Sequence, residues 1–221
     1  MKSGALLASE AERAELMFLN WKLREINLKI VYYGPAFSGK TTNLEYIHSK
    51  LKPELRGELI SLKTSEDRTI FFDFLQLGIG EIKGLKPKFN LYTVPGQSLY
   101  TASRKLVLQG ADGVVFVANS QWEQLQANVK CMRNLEDELQ QLGYVLANFP
   151  LVIQYNKRDL PDRAPIHILE SILGRNGVDY LESIAINGTG VLETLKMIIN
   201  LVVSRVQREI GYPSTRQRTF N

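Results

Sequence analysis

Residues 34–41 read Gly34-Pro35-Ala36-Phe37-Ser38-Gly39-Lys40-Thr41, a complete G-x-x-x-x-G-K-[ST] pattern. Nothing else in the chain restricts its fold as strongly, because this pattern works only between a strand and a helix. The run INLKIVYY, residues 26–33, is such a strand, and 41–51 is a helical stretch. Two glycines let the backbone turn tightly, so that N–H groups point inward at a phosphate. Lys40 adds positive charge over the β- and γ-phosphates, the Thr41 hydroxyl suits Mg²⁺, and the helix N-terminus supports the anion. The candidate cradle is Gly34, Ala36, Phe37, Ser38, Gly39, Lys40, Thr41 and Thr42. A glycine turn without a ligand is the competing reading, and the strand-loop-helix context speaks against it.

After Lys52-Pro53 come ELISL, FFDFLQL and KFNLYTV, three short β-rich runs that predict an antiparallel ribbon at one sheet edge. The chain then alternates: helix near 98–109, strand 113–119, helix 122–142, strand 150–156, helix 165–174, short strand 180–186, helix 190–209. Apolar runs such as VVFVA and LVIQY, without alternation, are what strands covered on both faces need. The expected fold is an α/β domain of the P-loop type, a mostly parallel six-stranded sheet plus an edge strand, with helices on both faces. Residues 3–20 read as an amphipathic helix, which gives a helical extension over 1–22, a domain over 23–209 and a basic tail over 210–221.

No apolar run is long enough to span a bilayer, and the acidic residues among 1–16 do not suit a signal core, so the expectation is a cytoplasmic protein. The single cysteine, Cys131, excludes an internal disulfide framework, and His48 and His167 are too far apart in sequence to suggest zinc. Cys131 reads as a small apolar residue of a helix. Of the net charge of +4, an excess of three lies within 204–221, from Arg205, Arg208, Arg216 and Arg218 against Glu209. Without interleaved aromatics this does not make a nucleic-acid groove. A solvated tail, or at most weak peripheral attraction to an anionic membrane or an acidic partner, remains.

Asn156-Lys157-Arg158-Asp159 follows the buried strand PLVIQY. Asp159 can accept from guanine N1–H and the 2-amino group, whereas adenine would leave that carboxylate desolvated and unpaired, at a cost of about 3 kcal/mol. Lys157 can lay its stem along a base, and Asn156 can tie this loop to residues 34–41. A third motif, Thr93-Val94-Pro95-Gly96-Gln97, ends the strand KFNLYTV. Gly96 can bring its N–H to a γ-phosphate, and Gln97 can orient an attacking water.

The three motifs together resemble those of the small GTPases, whose third motif reads D-x-x-G-Q. Thr93 in place of the acid, YYGP before the loop, the stretch T-x-x-D-R-T-x-F-F-D-F, and T-V-P-G-Q followed by YTASRKLVLQGADGVVFV narrow the resemblance to the MglA-type GTPases of bacterial motility and cell polarity. It spans residues 24–205. It implies that Thr64–Thr69 is the first switch, that Thr69 closes on Mg²⁺ and the γ-phosphate, and that Arg68 is an intrinsic arginine finger. On residue type alone Arg68 is a polar loop residue. The segment around Ala185 takes the place of the fifth GTPase motif, where an Ala185 or Ile186 N–H would meet the guanine oxygen. Asn187-Gly188-Thr189 also matches a glycosylation sequon, which is incidental in a chain without a secretory signal.

Two positions depart from the small-GTPase pattern. Thr93 carries no negative charge for a magnesium-bound water, so Asp67 or Asp73 is needed to compensate or magnesium affinity falls. Ala36 stands where such proteins have glycine, and its methyl group can obstruct Gln97 or Arg68 without blocking nucleotide. The resemblance implies a GTP/GDP- and Mg²⁺-binding switch with slow, activator-stimulated hydrolysis, an MglB-like roadblock activator, polarity or motility effectors, and a polar position when GTP is bound. A nucleotide-binding scaffold with negligible hydrolysis is the alternative. A metabolic P-loop kinase would need an arginine-rich lid, which the sequence lacks.

Overall fold

Gly113–Asn119 and Leu151–Asn156 are buried at every position. Strands of Val, Ile, Leu and Phe without alternation can satisfy themselves only between two helical layers, and that requirement organises the molecule. The computed structural model describes residues 19–20, 23–62, 72–95 and 101–211. The strands are β1 (Leu19–Asn20), β2 (Glu25–Tyr33), β3 (Ile60–Leu62), β4 (Phe72–Gly78), β5 (Lys86–Thr93), β6 (Gly113–Asn119), β7 (Leu151–Asn156) and β8 (Asp179–Glu182). The helices are α1 (Lys40–Lys50), α2 (Thr101–Leu108), α3 (Leu125–Gln141), α4 (Ile166–Leu173) and α5 (Val191–Gly211).

The sheet order is β3-β4-β5-β2-β6-β7-β8, with β1 paired to β2 beside that path. From β5 across to β8 all neighbours are parallel. β3, β4 and β5 form the antiparallel ribbon expected from their short β-rich runs. β4 and β5 alternate buried with half-exposed residues, as strands covered on one face should. Leu44, Ile47, Leu195, Ile198 and Val202 of α1 and α5 close one apolar layer, and Leu108, Met132, Leu135, Leu139 and Leu169 of α2, α3 and α4 close the other.

Three expectations change. The helical reading of 3–20 lies almost wholly outside the described residues, and its last two, Leu19 and Asn20, are strand, paired antiparallel to Ile26 and Glu25. The sheet therefore reaches into the stretch read as an extension. Helix 122–142 opens with a 3₁₀ turn, Trp122–Gln124. The expected strand 180–186 stops at Glu182, because Ile184 turns to bridge Thr189 instead of continuing along β7.

Candidate functional site

β2 is the strand from which the chain departs to both sides of the sheet, and crevices form beyond the carboxyl ends of strands at such a switch point. The loops after β2, β7 and β8 meet there, and β5 ends beside β2 at Thr93. Lys40 is 8% exposed, and its Nζ arches back to donate to the Gly34 and Pro35 carbonyls at 3.0 and 2.7 Å. Gly34 and Gly39 have φ of 151° and 101°. A Cβ at Gly34 would stand 2.2 Å from the Val117 carbonyl oxygen, and one at Gly39 would stand 2.2 Å from Asn156 Nδ2. Phe37 is held in the left-handed region at φ 60° with its side chain 84% exposed, while Ala36 is half-buried.

These residues fit a bound polyphosphate. The α1 N-terminus has no side-chain cap and no acidic residue in its first turn, so its first N–H groups are free for an anion. Ser38 Oγ, buried in the same loop, has no hydrogen-bond partner. Thr41 is exposed and Thr42 half-buried at the start of α1.

Asn156 joins two of the loops. Its Nδ2 donates to the Ser38 carbonyl at 2.7 Å, while Oδ1 accepts from Ser183 Oγ at 3.0 Å and from the Ala185 N–H at 2.9 Å. That Ala185 donor is therefore already engaged, and a base oxygen must share it. Lys157 sits at φ 65°, and Asp159 is exposed at the same edge. Arg158, given no task by the sequence, pins this loop from below, with Nε 2.6 Å from Glu182 Oε2 and Nη1 2.7 Å from the Ala164 carbonyl. Gln154, polar within an apolar strand, donates to Asn43 Oδ1 and Thr194 Oγ1 at 3.0 and 3.1 Å, tying β7 to α1 and α5. A lone glutamine in LVIQY was the available signal for it.

Thr93 does not face the site alone. The register of β4 against β5, Phe74 opposite Tyr92, sets Asp73 beside it. Asp73 Oδ2 accepts from Thr93 Oγ1 at 2.9 Å and from Thr41 Oγ1 at 2.6 Å; Oδ1 accepts from Ser61 Oγ at 2.7 Å. Thr93 Oγ1 in turn accepts the Asp73 N–H at 2.8 Å. A carboxylate 8% exposed thus touches the hydroxyl read as a magnesium ligand, on the side where the third motif lacks its acid. Arg68, Thr69, Gly96, Gln97 and Asp67 lie outside the described residues.

Beneath this end of the sheet Tyr33, which precedes the loop, donates from its hydroxyl to Glu138 Oε2 at 2.9 Å, and Arg104 Nε of α2 reaches Glu138 Oε1 at 3.2 Å. Both ionic side chains are about 5% exposed, and burial pushes the Glu138 carboxyl above its usual range. Removing Glu138 takes a charged acceptor from the buried Tyr33 and Arg104 together, so Glu138→Ala is expected to cost about 3 kcal/mol of stability, read as a lower urea midpoint. Cys131, buried nearby on α3, is pushed up to about 12 by desolvation, which leaves an inert thiol.

The Ras family matches residues 60–204. The mutual gliding-motility protein MglA of Myxococcus xanthus is 51% identical over 193 residues, 87% of this chain and 99% of that protein. The chain is an MglA-type GTPase of the Ras family. The human and rat Ras-related proteins Rab-27A are each 27% identical over 128 residues, 57% of this chain and 56% of theirs. Ras-family GTPases bind GTP or GDP with Mg²⁺, and this MglA-type chain is a GTP-binding switch protein with GTPase activity in the general sense of its family. Among the described residues no helix is long and apolar enough to cross a membrane.

Proposed function

We propose that the protein is a slow GTP-operated switch for bacterial gliding motility and cell polarity, accelerated by an MglB-like roadblock activator. Asn156 supports this reading most, because one buried side chain joins the loop suited to phosphates to the loop that bears Ala185. In the proposal Lys40, Ser38, Gly39 and the first α1 N–H groups hold the phosphates, and Thr41 and Thr69 offer hydroxyls to Mg²⁺. Asp159 accepts from the guanine edge, and the Lys157 stem covers the base. Ala185 N–H, shared with Asn156, or the next N–H at Ile186 meets the guanine oxygen. Gly96 presents its N–H to the γ-phosphate, Gln97 orients water, and Arg68 brings charge to the transition state. Thr41 and Thr69 would hold magnesium, which would supply positive charge against the charge that develops on the phosphates.

Asp73 supplies the acid that Thr93 lacks. The hydroxyls of Thr41, Thr93 and Ser61 hold its carboxylate in place, and partners of this kind beside a metal site are worth about 10–100-fold in metal affinity. Asp73→Asn keeps the shape and loses the charge. Its GTP should dissociate fast at free magnesium levels about tenfold or more above those at which the parent chain still retains nucleotide. Unchanged retention at limiting magnesium would mean that Asp73 only braces β4 against β5.

Ala36 keeps the scaffold alternative alive, since its methyl group lies in the loop where glutamine and finger must meet. Single-turnover hydrolysis with and without a roadblock partner separates the two readings, tight GTP binding without stimulated phosphate release favouring the scaffold. For the base, displacement of bound fluorescent GDP by GTP against ATP is decisive, and equal potency of the two would end the guanine assignment. In cells the proposal places the protein in the cytoplasm, at a pole in the GTP-locked form and diffuse in the GDP-locked form.

A further inference from the structure

Gly188, in the loop between β8 and α5, has φ 89°, a left-handed conformation that glycine adopts at little cost. A second constraint acts on the same residue from outside its loop. A Cβ there would overlap Tyr46 at Cζ, Cε2 and the hydroxyl oxygen, so the phenol end of this side chain lies directly against the Gly188 backbone. Tyr46 projects from α1, about one turn beyond Asn43, and is half-buried against the core. Lys50, a further turn along, brings its Nζ to 5.4 Å from the ring centroid. The glycine of Asn187-Gly188-Thr189 thus has a packing reason that owes nothing to the sequon.

The loop that Tyr46 touches is closed on itself. Ile184 donates its N–H to the Thr189 carbonyl at 2.9 Å, and its own carbonyl accepts from the Asn187 and Gly188 N–H groups at 3.1 and 2.9 Å. Asn187 Oδ1 accepts the Thr189 N–H at 3.0 Å, and the Gly188 carbonyl accepts from Val191, the first residue of α5, at 3.1 Å. A displacement at Gly188 is therefore passed on to Ile184 and its neighbour Ala185. Asn156 holds this loop at Ala185, and Tyr46 holds it at Gly188. The second hold comes from the helix that begins at Lys40. Lys40 and Tyr46 lie about 9 Å apart along its axis, so one stiff element carries both the phosphate ammonium and the brace of the other loop.

We infer that Tyr46 is a positioning residue for base recognition. By bracing Gly188 it keeps the N–H groups of Ala185 and Ile186 at a fixed distance from the phosphate loop, so that a nucleotide seated on Lys40 brings its guanine oxygen to them in register. The inference rests on the reading that these N–H groups meet that oxygen. Hydrogen bonds weaken steeply as their geometry is lost, and binding groups must be held to within about 0.5 Å. The ring itself is the brace, so Tyr46→Phe keeps it and Tyr46→Ala removes it.

A cycle of two proteins and two nucleotides tests this. In 6-thio-GDP sulfur, a weak acceptor, replaces the guanine oxygen while N1–H and the 2-amino group stay. The parent should bind it about tenfold more weakly than GDP, the worth of one hydrogen bond. Tyr46→Ala should bind GDP about tenfold more weakly than the parent, yet separate GDP from 6-thio-GDP by less than about threefold, since a contact already lost cannot be lost again. Tyr46→Phe should match the parent with both nucleotides. In the nucleotide-free chain, the Ile184 and Gly188 amides should exchange about tenfold faster in Tyr46→Ala than in the parent. A thermal melt verifies the fold, and Tyr46→Leu serves if the alanine chain does not fold. Equal losses of GDP and 6-thio-GDP would make Tyr46 an ordinary packing residue and overturn the inference, as would unchanged GDP affinity or unchanged exchange at those amides. A parent that is itself indifferent to the sulfur would overturn the base contact beneath the inference, a result that the parent alone reveals.

Discussion

Lys40→Ala is expected to weaken GTP and GDP binding by about 10³-fold while leaving thermal stability within a few degrees of the parent. Removing one member of a buried, hydrogen-bonded charge pair costs about 2–5 kcal/mol, and each 1.4 kcal/mol is about tenfold in affinity. The ammonium is 8% exposed and reaches only loop carbonyls, so a phosphate that arrives there meets a charge that little water screens. The same burial makes the ammonium costly in the nucleotide-free protein, which lowers it from its ordinary 10.5 to about 8. Alanine therefore removes a strained cation along with two hydrogen bonds, and the opposing effects leave stability nearly level. Fluorescent GDP titration paired with a thermal melt checks both halves. Affinity within tenfold of the parent would remove Lys40 from the phosphate site.

The lowered lysine also gives the binding a pH dependence of defined sign. Above about pH 8 the nucleotide-free protein releases the Lys40 proton, whereas a bound phosphate holds it. Affinity should thus be level below pH 7 and fall as pH rises through 8, by about tenfold at pH 9. Stability of the nucleotide-free chain moves the other way. Its unfolded form binds more protons between pH 8 and 10.5, so the contribution of this group rises across that window and is lowest below 8. Guanine has its own titration near the upper end, and the Lys40→Arg chain, which keeps its charge throughout, subtracts it.

How much of this was legible in the sequence depends on how local the interaction is. The Gly34–Thr41 loop is written in consecutive residues, and β6 and β7 declare themselves because burial on both faces leaves no room for alternation. Asn156 was legible as a tie to the phosphate loop, since its motif follows a buried strand. Its second partner pair, Ser183 and Ala185, arrives from 27 and 29 residues away. Asp73 could be proposed only as one of two acids. What sets it beside Thr93 is the register of β4 on β5, and a shift of one residue would turn its carboxylate to the other face. Arg104, Tyr33 and Glu138 meet across 34 and 105 residues, and on its own element each reads as an ordinary polar residue. β1 escaped for the opposite reason. Two residues carry no period, so the helical pattern of the preceding stretch was carried over them.

Arg68→Ala should leave GDP and GTP affinity within about threefold of the parent and reduce activator-stimulated hydrolysis by about 10³–10⁵-fold, the range for arginine fingers. The two effects separate because a finger contacts charge that exists in the transition state and not in the bound nucleotide. Loss of affinity as large as that from Lys40→Ala would make Arg68 a binding residue instead. Ala36 supplies the internal control. If its methyl group crowds the place where Arg68 and Gln97 converge, Ala36→Gly should raise hydrolysis in the presence of Arg68 and do little in its absence, since residues in contact are not additive. An equal gain from Ala36→Gly with and without Arg68 would assign the crowding to Gln97, and no gain in either background would leave slow hydrolysis to the positions of the switch segments themselves. Gln97→Leu run through the same four-way comparison distinguishes these, because water orientation and transition-state charge are lost separately: the finger's share vanishes with Arg68, and the share that survives there must pass through Gln97.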